Sequence, residues 1–262
     1  MRPLWTGAIG FGLVTIPVKL FSAVQGSELD LDMLDKKDHA HIHYKRVNER
    51  TGKEVPWENI VKGYDYNGSY VVLDEKDFAA ASPEKTGRIE LFQFCKMEEI
   101  DSIYYETPYF IEPDKSGKKP YVLLKAALEE ADMAGIGSFV MRNKEHLVVL
   151  KPYKNMLVLN QIRFQQEIRE PEGLKIPPKT GVTATEVKMA LQLIKQMTSP
   201  FDITAYKDTY SAALLKLVQN KAKGRNIPEP KLRVVHKQTT DLMEQLKASL
   251  GGAATPKKRK AS

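Results

Sequence analysis

The chain has 262 residues, 42% hydrophobic and 28% charged, enough for one large or two modest domains with a real core. One cysteine, Cys95, excludes an intramolecular disulfide and suits a reducing compartment, and no apolar run reaches membrane-spanning length. The net charge of +7 is uneven: from Lys216 onward there are twelve Lys/Arg against three Asp/Glu, and the part before it is close to neutral at −2. A basic end of this kind points to an anionic polymer, and to nucleic acid rather than membrane because no basic amphipathic face accompanies it. Met1–Gly7 lacks the apolar core and cleavage site of a signal peptide, so the expected setting is intracellular, in the cytoplasm.

Residues 4–24 read as strand, with Val14, Ile16, Val18 and Leu20 alternating against Thr15, Pro17, Lys19 and Phe21. Pro17 argues for an edge or a bulge. Gly7, Gly10 and Gly12 lack the lysine and following helix of a phosphate loop and fit strand bending or close backbone approach. His39, His41 and His43, three of the five histidines, would share one strand face and invite a metal reading. No Cys pair or His-Glu-x-x-His helix completes such a site, and an exposed face touching phosphate reads the same residues.

The stretch from Lys45 to Asp77 is extended and rich in turns. Glu49-Arg50-Thr51-Gly52 suits a hairpin connection, Tyr70–Leu73 a strand after Asn67-Gly68, and Asp74 a helix cap. Lys45, Arg46, Arg50, Lys53 and Lys62 are spread along it. Such an arm can lie along a phosphate backbone, although a half-buried hairpin with a solvated charged face is the plainer reading on composition.

Arg88–Lys96 alternates with a second apolar face from Phe92 and Phe94, as in a strand of a barrel wall. Cys95 within it reads as a structural thiol. Tyr104, Tyr105, Tyr109 and Phe110 surround Pro108, and packing beneath a turn is preferred there over base stacking. Lys119–Met133 predicts a helix with Val122, Leu123, Ala126 and Ala127 inward, ended by Gly135 and Gly137. Strands at Ile136–Met141, His146–Lys151 and Met156–Phe164 predict an antiparallel meander, enough with the earlier strands to curl into a barrel. Arg142 and Lys144 stand at its first turn.

Glu170–Lys179 reads as a linker. Thr183 to Glu186 has capping-box spacing before Val187, Ala190, Leu191, Ile194 and Met197, and Pro200 stops that helix. A helix from Asp208 is expected to bury Tyr210, Leu214, Leu217 and Val218. After a hinge at Arg225–Pro230, a short helix over Thr240–Leu250 carries Leu242, Met243, Leu246 and Leu250. With little of its own domain left to pack on, this stripe suggests a partner surface. Lys257, Lys258, Arg259 and Lys260 form a disordered basic tail suited to gripping DNA.

Several of these segments together resemble the bacterial Ku proteins. The similarity is carried by Trp5-Thr6-Gly7 through Val18-Lys19-Leu20, by Thr51-Gly52-Lys53-Glu54-Val55-Pro56 running into Ile60-Val61-Lys62-Gly63-Tyr64, by Glu99–Tyr105, by Lys119-Pro120-Tyr121 and by Phe201-Asp202 to Tyr210. It departs at His41 and His43, where relatives tend to show Arg or Lys, which lowers the fixed positive charge of that strand.

The resemblance implies an α+β fold: an antiparallel β-barrel core with an extended bridging β-arm, followed by a helical C-terminal region and a short disordered basic tail. The implied division is a barrel core over 1–170 with the arm at about 40–70, a helical part over 171–224, a ligase-interacting region over 225–250 and a tail over 251–262. It also implies a homodimeric ring that threads the ends of linear double-stranded DNA in non-homologous end joining and recruits ATP-dependent DNA ligase D. By the same resemblance, Lys45, Arg46, Arg50, Lys53 and Lys62 of the arm and Arg142 and Lys144 of the hairpin become candidate DNA contacts, with Lys257, Lys258, Arg259 and Lys260 adding grip. Leu242, Met243 and Leu246 become the candidate ligase surface. No Ser/His/Asp set, nucleotide loop or carboxylate cluster argues for turnover, so no catalytic residue, cofactor or metal is expected. Two alternatives remain: a metal-dependent processing enzyme using the three histidines with Asp35 or Asp38, and a general architectural or RNA-binding protein that grips by charge.

Overall fold

The computed structural model describes residues 1–82, 86–178, 180–225 and 242–251. The chain forms two units, one of Met1–Gly26 with Leu31–Glu170 and one of Ser27–Asp30 with the residues from Pro171 onward.

In the first unit, Gly12 at φ +55° reverses the chain, so the run read as one strand becomes two. These are β1 (Trp5–Phe11) and β2 (Val14–Ser22), paired antiparallel from Trp5↔Leu20 to Phe11↔Val14. The chain then makes a long excursion holding β3 (Lys62–Tyr66), β4 (Ser69–Leu73) and α1 (Glu75–Ala81). After it come β5 (Arg88–Lys96), β6 (Tyr105–Pro113), α2 (Lys118–Ala131), β7 (Met133–Met141), β8 (Lys144–Tyr153) and β9 (Met156–Ile162). Seven strands close a barrel in the order β1-β2-β6-β9-β8-β7-β5, and β3 and β4 form a separate ribbon.

The closing seam departs from the expected antiparallel pattern. β1 runs parallel to β5 through Ala8↔Arg88, Ile9↔Ile89 and Gly10↔Glu90. Two strands this far apart in sequence can run parallel because the excursion returns the chain to the same end of the barrel. The approach is close: a Cβ on Gly7 would stand 2.2 Å from the Gly87 carbonyl oxygen, which is why glycine is required there.

Period-2 alternation fills the barrel. Ile9, Ile16, Val18, Leu20, Ile89, Phe139, Val148, Leu150, Leu157 and Leu159 are buried in one cluster, each worth roughly 1.5–3 kcal/mol of apolar burial. β8 is buried on its other face as well, where Val149 joins Ala134 and Ile162 beneath Ile100, Tyr104 and Tyr105. Cys95 is partly buried on β5, and burial pushes its thiol up, in keeping with a structural role.

Helix α2 packs on the barrel through Tyr121, Leu124 and Leu128, a stripe spaced three and four residues apart. This corrects the expected face: Val122 and Leu123 are 62% and 68% exposed. The helix is ended by Asp132 in the left-handed region at φ +52°. Gly135 and Gly137 instead lie inside β7, where a Cβ on Gly137 would meet the Glu90 carbonyl oxygen at 2.4 Å. Of the aromatics around Pro108, Tyr105, Tyr109 and Phe110 lie in strand β6 rather than a turn, with Tyr109 buried, and Tyr104 ends the short helical turn before it. Proline is tolerated because the β6–β9 register shifts between Tyr105 and Pro108.

Where β6 and β9 diverge, Tyr121 stands in for the next rung of the ladder. Their pairing ends at Phe110↔Val158. At the following position the Tyr121 hydroxyl donates to the Ile111 carbonyl (3.0 Å) and accepts from the Leu157 N–H (2.7 Å). Burial pushes this phenol up, partly offset by the Leu157 bond.

The second unit holds α3 (Ala184–Met197), α4 (Thr209–Ala222) and α5 (Leu242–Gly251). Thr183 caps α3 reciprocally with Glu186, and Asp208 caps α4 by accepting from the N–H groups of Tyr210 and Ser211, both at 3.0 Å. The expected burial of α4 is not realised. Tyr210, Leu217 and Val218 are exposed, because nothing among the described residues of this unit covers them. α5 lies against α3, and Leu242 and Leu246 share a groove of about 300 Å³ with Val187, Leu191 and Ile194. No helix among the described residues is long and apolar enough to cross a membrane.

Candidate nucleic-acid interface

No residue from Leu31 through Ser82 is buried, so the excursion is held by local hydrogen bonds rather than by a core. Its first turn links Leu34 to His41, with the Asp35 N–H donating to the Ala40 carbonyl at 2.8 Å. His39 falls in that turn at φ +60°, which breaks the strand alternation, so the three histidines do not line one strand face. No cluster of metal-ligating residues occurs among the described residues.

The second turn is built by Asn48. Its side-chain oxygen accepts from the N–H groups of Arg50 and Thr51, both at 3.0 Å, and Gly52 at φ +66° completes the reversal. The strands on either side meet at Val47↔Glu54 and through the Val55 N–H donating to the Arg46 carbonyl at 2.8 Å. The ribbon of β3 and β4 turns at Asn67-Gly68, both with positive φ, as a two-residue hairpin requires. Asp74 then caps α1 by accepting from Lys76 and Asp77, and Asp77 returns a bond to the Asp74 N–H.

These turns place the arm cations in different states. The Lys45 ammonium is 2.7 Å from the Glu54 carboxylate, which holds it above its usual range. The Arg46 guanidinium lies over the Trp57 ring, 4.5 Å from its centroid, and the Lys62 ammonium over Phe78 at 5.0 Å. Arg50 and Lys53, at the hairpin tip, have no ion-pair partner among the described residues. Sequence reasoning missed Glu54, Trp57 and Phe78 as partners. The signal was the hairpin itself, because once Asn48 to Gly52 is the turn, Lys45 and Arg46 must face Glu54 to Trp57.

Arg142 and Asn143, with φ of +52° and +68°, form the two-residue turn between β7 and β8. Lys144 follows, 3.7 Å from Glu167. The end of the arm reaches this tip, where the Ser82 hydroxyl donates to the Asn143 carbonyl at 3.3 Å. The base of the arm and the hairpin with Arg142 and Lys144 are therefore adjacent. Leu242 and Leu246 face α3, with Met243 half-buried beside them, so this stripe does have part of its own chain to pack on. Lys257, Lys258, Arg259 and Lys260 lie outside the described residues.

The site is thus a closed seven-stranded barrel with an exposed excursion between its second strand and its seam, whose cations cluster from Lys45 to Lys53 although residues 31–82 hold eight Lys/Arg against ten Asp/Glu. The family model described as the Ku70/Ku80 beta-barrel domain matches residues 10–190, and the chain belongs to the Ku family. It is similar along its length to proteins named Non-homologous end joining protein Ku. That of Archaeoglobus fulgidus is 40% identical over 257 residues, covering 95% of this chain and 98% of the relative. That of Coxiella burnetii is 39% identical over 257 residues, covering 95% and 94%. That of Bacillus subtilis is 34% identical over 260 residues, covering 98% and 84%.

Proposed function

We propose that two copies of the chain form a ring that threads free ends of double-stranded DNA without reading sequence, as a step in non-homologous end joining. The reading is carried by the Ku match across the barrel. The arm adds support: Tyr64, Tyr66, Tyr70, Val71 and Val72 are exposed on a two-stranded ribbon, and such a ribbon alone in water is marginal without a covering surface. A second copy is the covering surface. A closed ring selects ends by topology, so phosphate contacts from Arg46, Arg50, Lys53, Lys62 and Arg142 suffice and base-edge readout is unnecessary. The protein is a scaffold rather than an enzyme. Its C-terminal region, with Leu242, Met243 and Leu246, recruits and stimulates ATP-dependent DNA ligase D, and the basic tail adds grip. In a bacterial cell it acts at the nucleoid.

The test compares linear duplex with covalently closed circular duplex at equal salt. Preferential loading on the linear form is expected, with affinity falling steeply as salt rises. Equal affinity for the closed circle, or for RNA, would make the protein a general charge-driven binder instead.

A further inference from the structure

We infer that Trp57 is a positioning residue for Arg46, and that the pair forms a pre-ordered phosphate clamp in the arm while Lys45 contributes little. The inference rests on the reading that the arm lies against a duplex backbone, and it ranks cations that the sequence alone treats as equivalent.

The physical distinction is what each cation gives up in being held. Lys45 is a compact ammonium ion-paired to Glu54 at 2.7 Å, so its charge is already compensated and one of its donors is committed. Meeting a phosphate would require breaking that pair or bringing Glu54 toward the phosphate. Arg46 is held differently. The indole face attracts the guanidinium through its quadrupole and consumes none of its five N–H donors, and no carboxylate pairs with Arg46 among the described residues. The full charge and the planar fork stay available to phosphate oxygens while the side chain loses rotamer freedom before binding rather than during it.

Local geometry fixes the pair. The Val55 N–H donates to the Arg46 carbonyl, and the short helical turn at Trp57–Asn59 is closed by the Ile60 N–H donating to the Trp57 carbonyl at 3.1 Å. Both partners are thus anchored by the backbone of one hairpin. Trp57 is 70% exposed, far more than a core tryptophan, so its contribution to folding is small and its position calls for another explanation.

The experiment measures affinity for linear duplex, and its dependence on salt, for the full chain and for Trp57→Ala, Trp57→Phe, Arg46→Ala, Trp57→Ala/Arg46→Ala and Glu54→Gln. Arg46→Ala is expected to weaken binding and to lower the slope of log K against log salt by about 0.9, the value for one lost phosphate contact. Trp57→Ala should weaken binding about 3- to 10-fold and also lower the salt slope, although it removes no charge. Trp57→Phe should restore most of the affinity, and the double variant should be no weaker than Arg46→Ala alone. Glu54→Gln should tighten binding and steepen the slope by releasing Lys45. A Trp57→Ala variant with wild-type affinity overturns the inference. So does one that weakens binding at unchanged slope and adds fully to Arg46→Ala, since Trp57 would then stack on a base by itself. In either case wild-type preference for linear over circular duplex would leave the end-binding reading standing, and loss of that preference would remove it independently.

Discussion

Removing a single oxygen atom at Tyr121 should destabilise the barrel by about 2 kcal/mol. The Tyr121 hydroxyl serves two buried backbone groups at once, the Ile111 carbonyl and the Leu157 N–H. Tyr121→Phe keeps the ring among Leu124, Leu128 and the barrel interior but leaves both buried backbone groups without their protein partner. An unsatisfied buried backbone group costs about 1–3 kcal/mol, and the N–H is the more demanding of the two because it has a single direction of bonding. For a unit of this size about 2 kcal/mol corresponds to a Tm lower by about 4–8 °C. Urea unfolding followed by circular dichroism, at fixed protomer concentration because association would add to apparent stability, reads the equilibrium cost. Exchange of the Leu157 amide hydrogen reads the local one, and it should quicken in the variant. The same residue gives a pH signature. Burial raises the Tyr121 phenol, so the folded state holds this proton more tightly than the unfolded chain. That stabilisation is complete below the ordinary tyrosine value of about 10 and is lost as pH rises beyond it. Tyr105 and Tyr109 shift in the same direction, so Tyr121→Phe should make the alkaline loss shallower without abolishing it. A variant within about 0.5 kcal/mol of wild type, with unchanged exchange at Leu157, would refute the role given to the hydroxyl.

Gly137→Ala should cost about 1–3 kcal/mol or more, because the new methyl meets the Glu90 carbonyl oxygen across the β5–β7 ladder; an unchanged urea midpoint would contradict the packing at that seam. Replacing Arg50 and Lys53 together by Ala should weaken binding to linear duplex and lower the salt slope by about 1.8 while leaving Tm and solution mass unchanged; undiminished affinity would make them a solvated face only. Deleting residues 225–262 should abolish stimulation of ligase D and leave a protein that still loads on linear DNA, and stimulation retained after deletion would sink the assignment of that region.

Local chemistry was the part of the fold most legible in the sequence. Thr183 caps α3 where its spacing to Glu186 says it should, and Asp74 and Asp208 cap the helices that begin behind them, because capping is settled within four residues. Alternation likewise identified most barrel strands. What alternation does not encode is the neighbour of each strand, so the parallel seam between β1 and β5 was invisible. Proline misled at β6, where a register shift accommodates Pro108. On α2 two overlapping apolar stripes were available, and the hydroxyl of Tyr121 decided between them by completing a ladder that no helix pattern reveals. In the arm the basic residues could be named from the sequence, but their availability could not. It depends on Glu54, Trp57 and Phe78, which the turns bring within reach of Lys45, Arg46 and Lys62.

The parallel seam has one more effect, on how freely the molecule can be altered. Because β2 runs antiparallel to β1 and β5 parallel to it, the connection from Ser22 to Arg88 leaves and returns at one end of the barrel, and the entropy of closing a loop grows only with the logarithm of its length. Doubling such a connection costs about 0.6 kcal/mol, a small fraction of what the barrel interior supplies. Insertions or deletions in the arm are therefore almost invisible to the stability of the barrel, so the span of the arm and the scaffold that carries it are free to change independently.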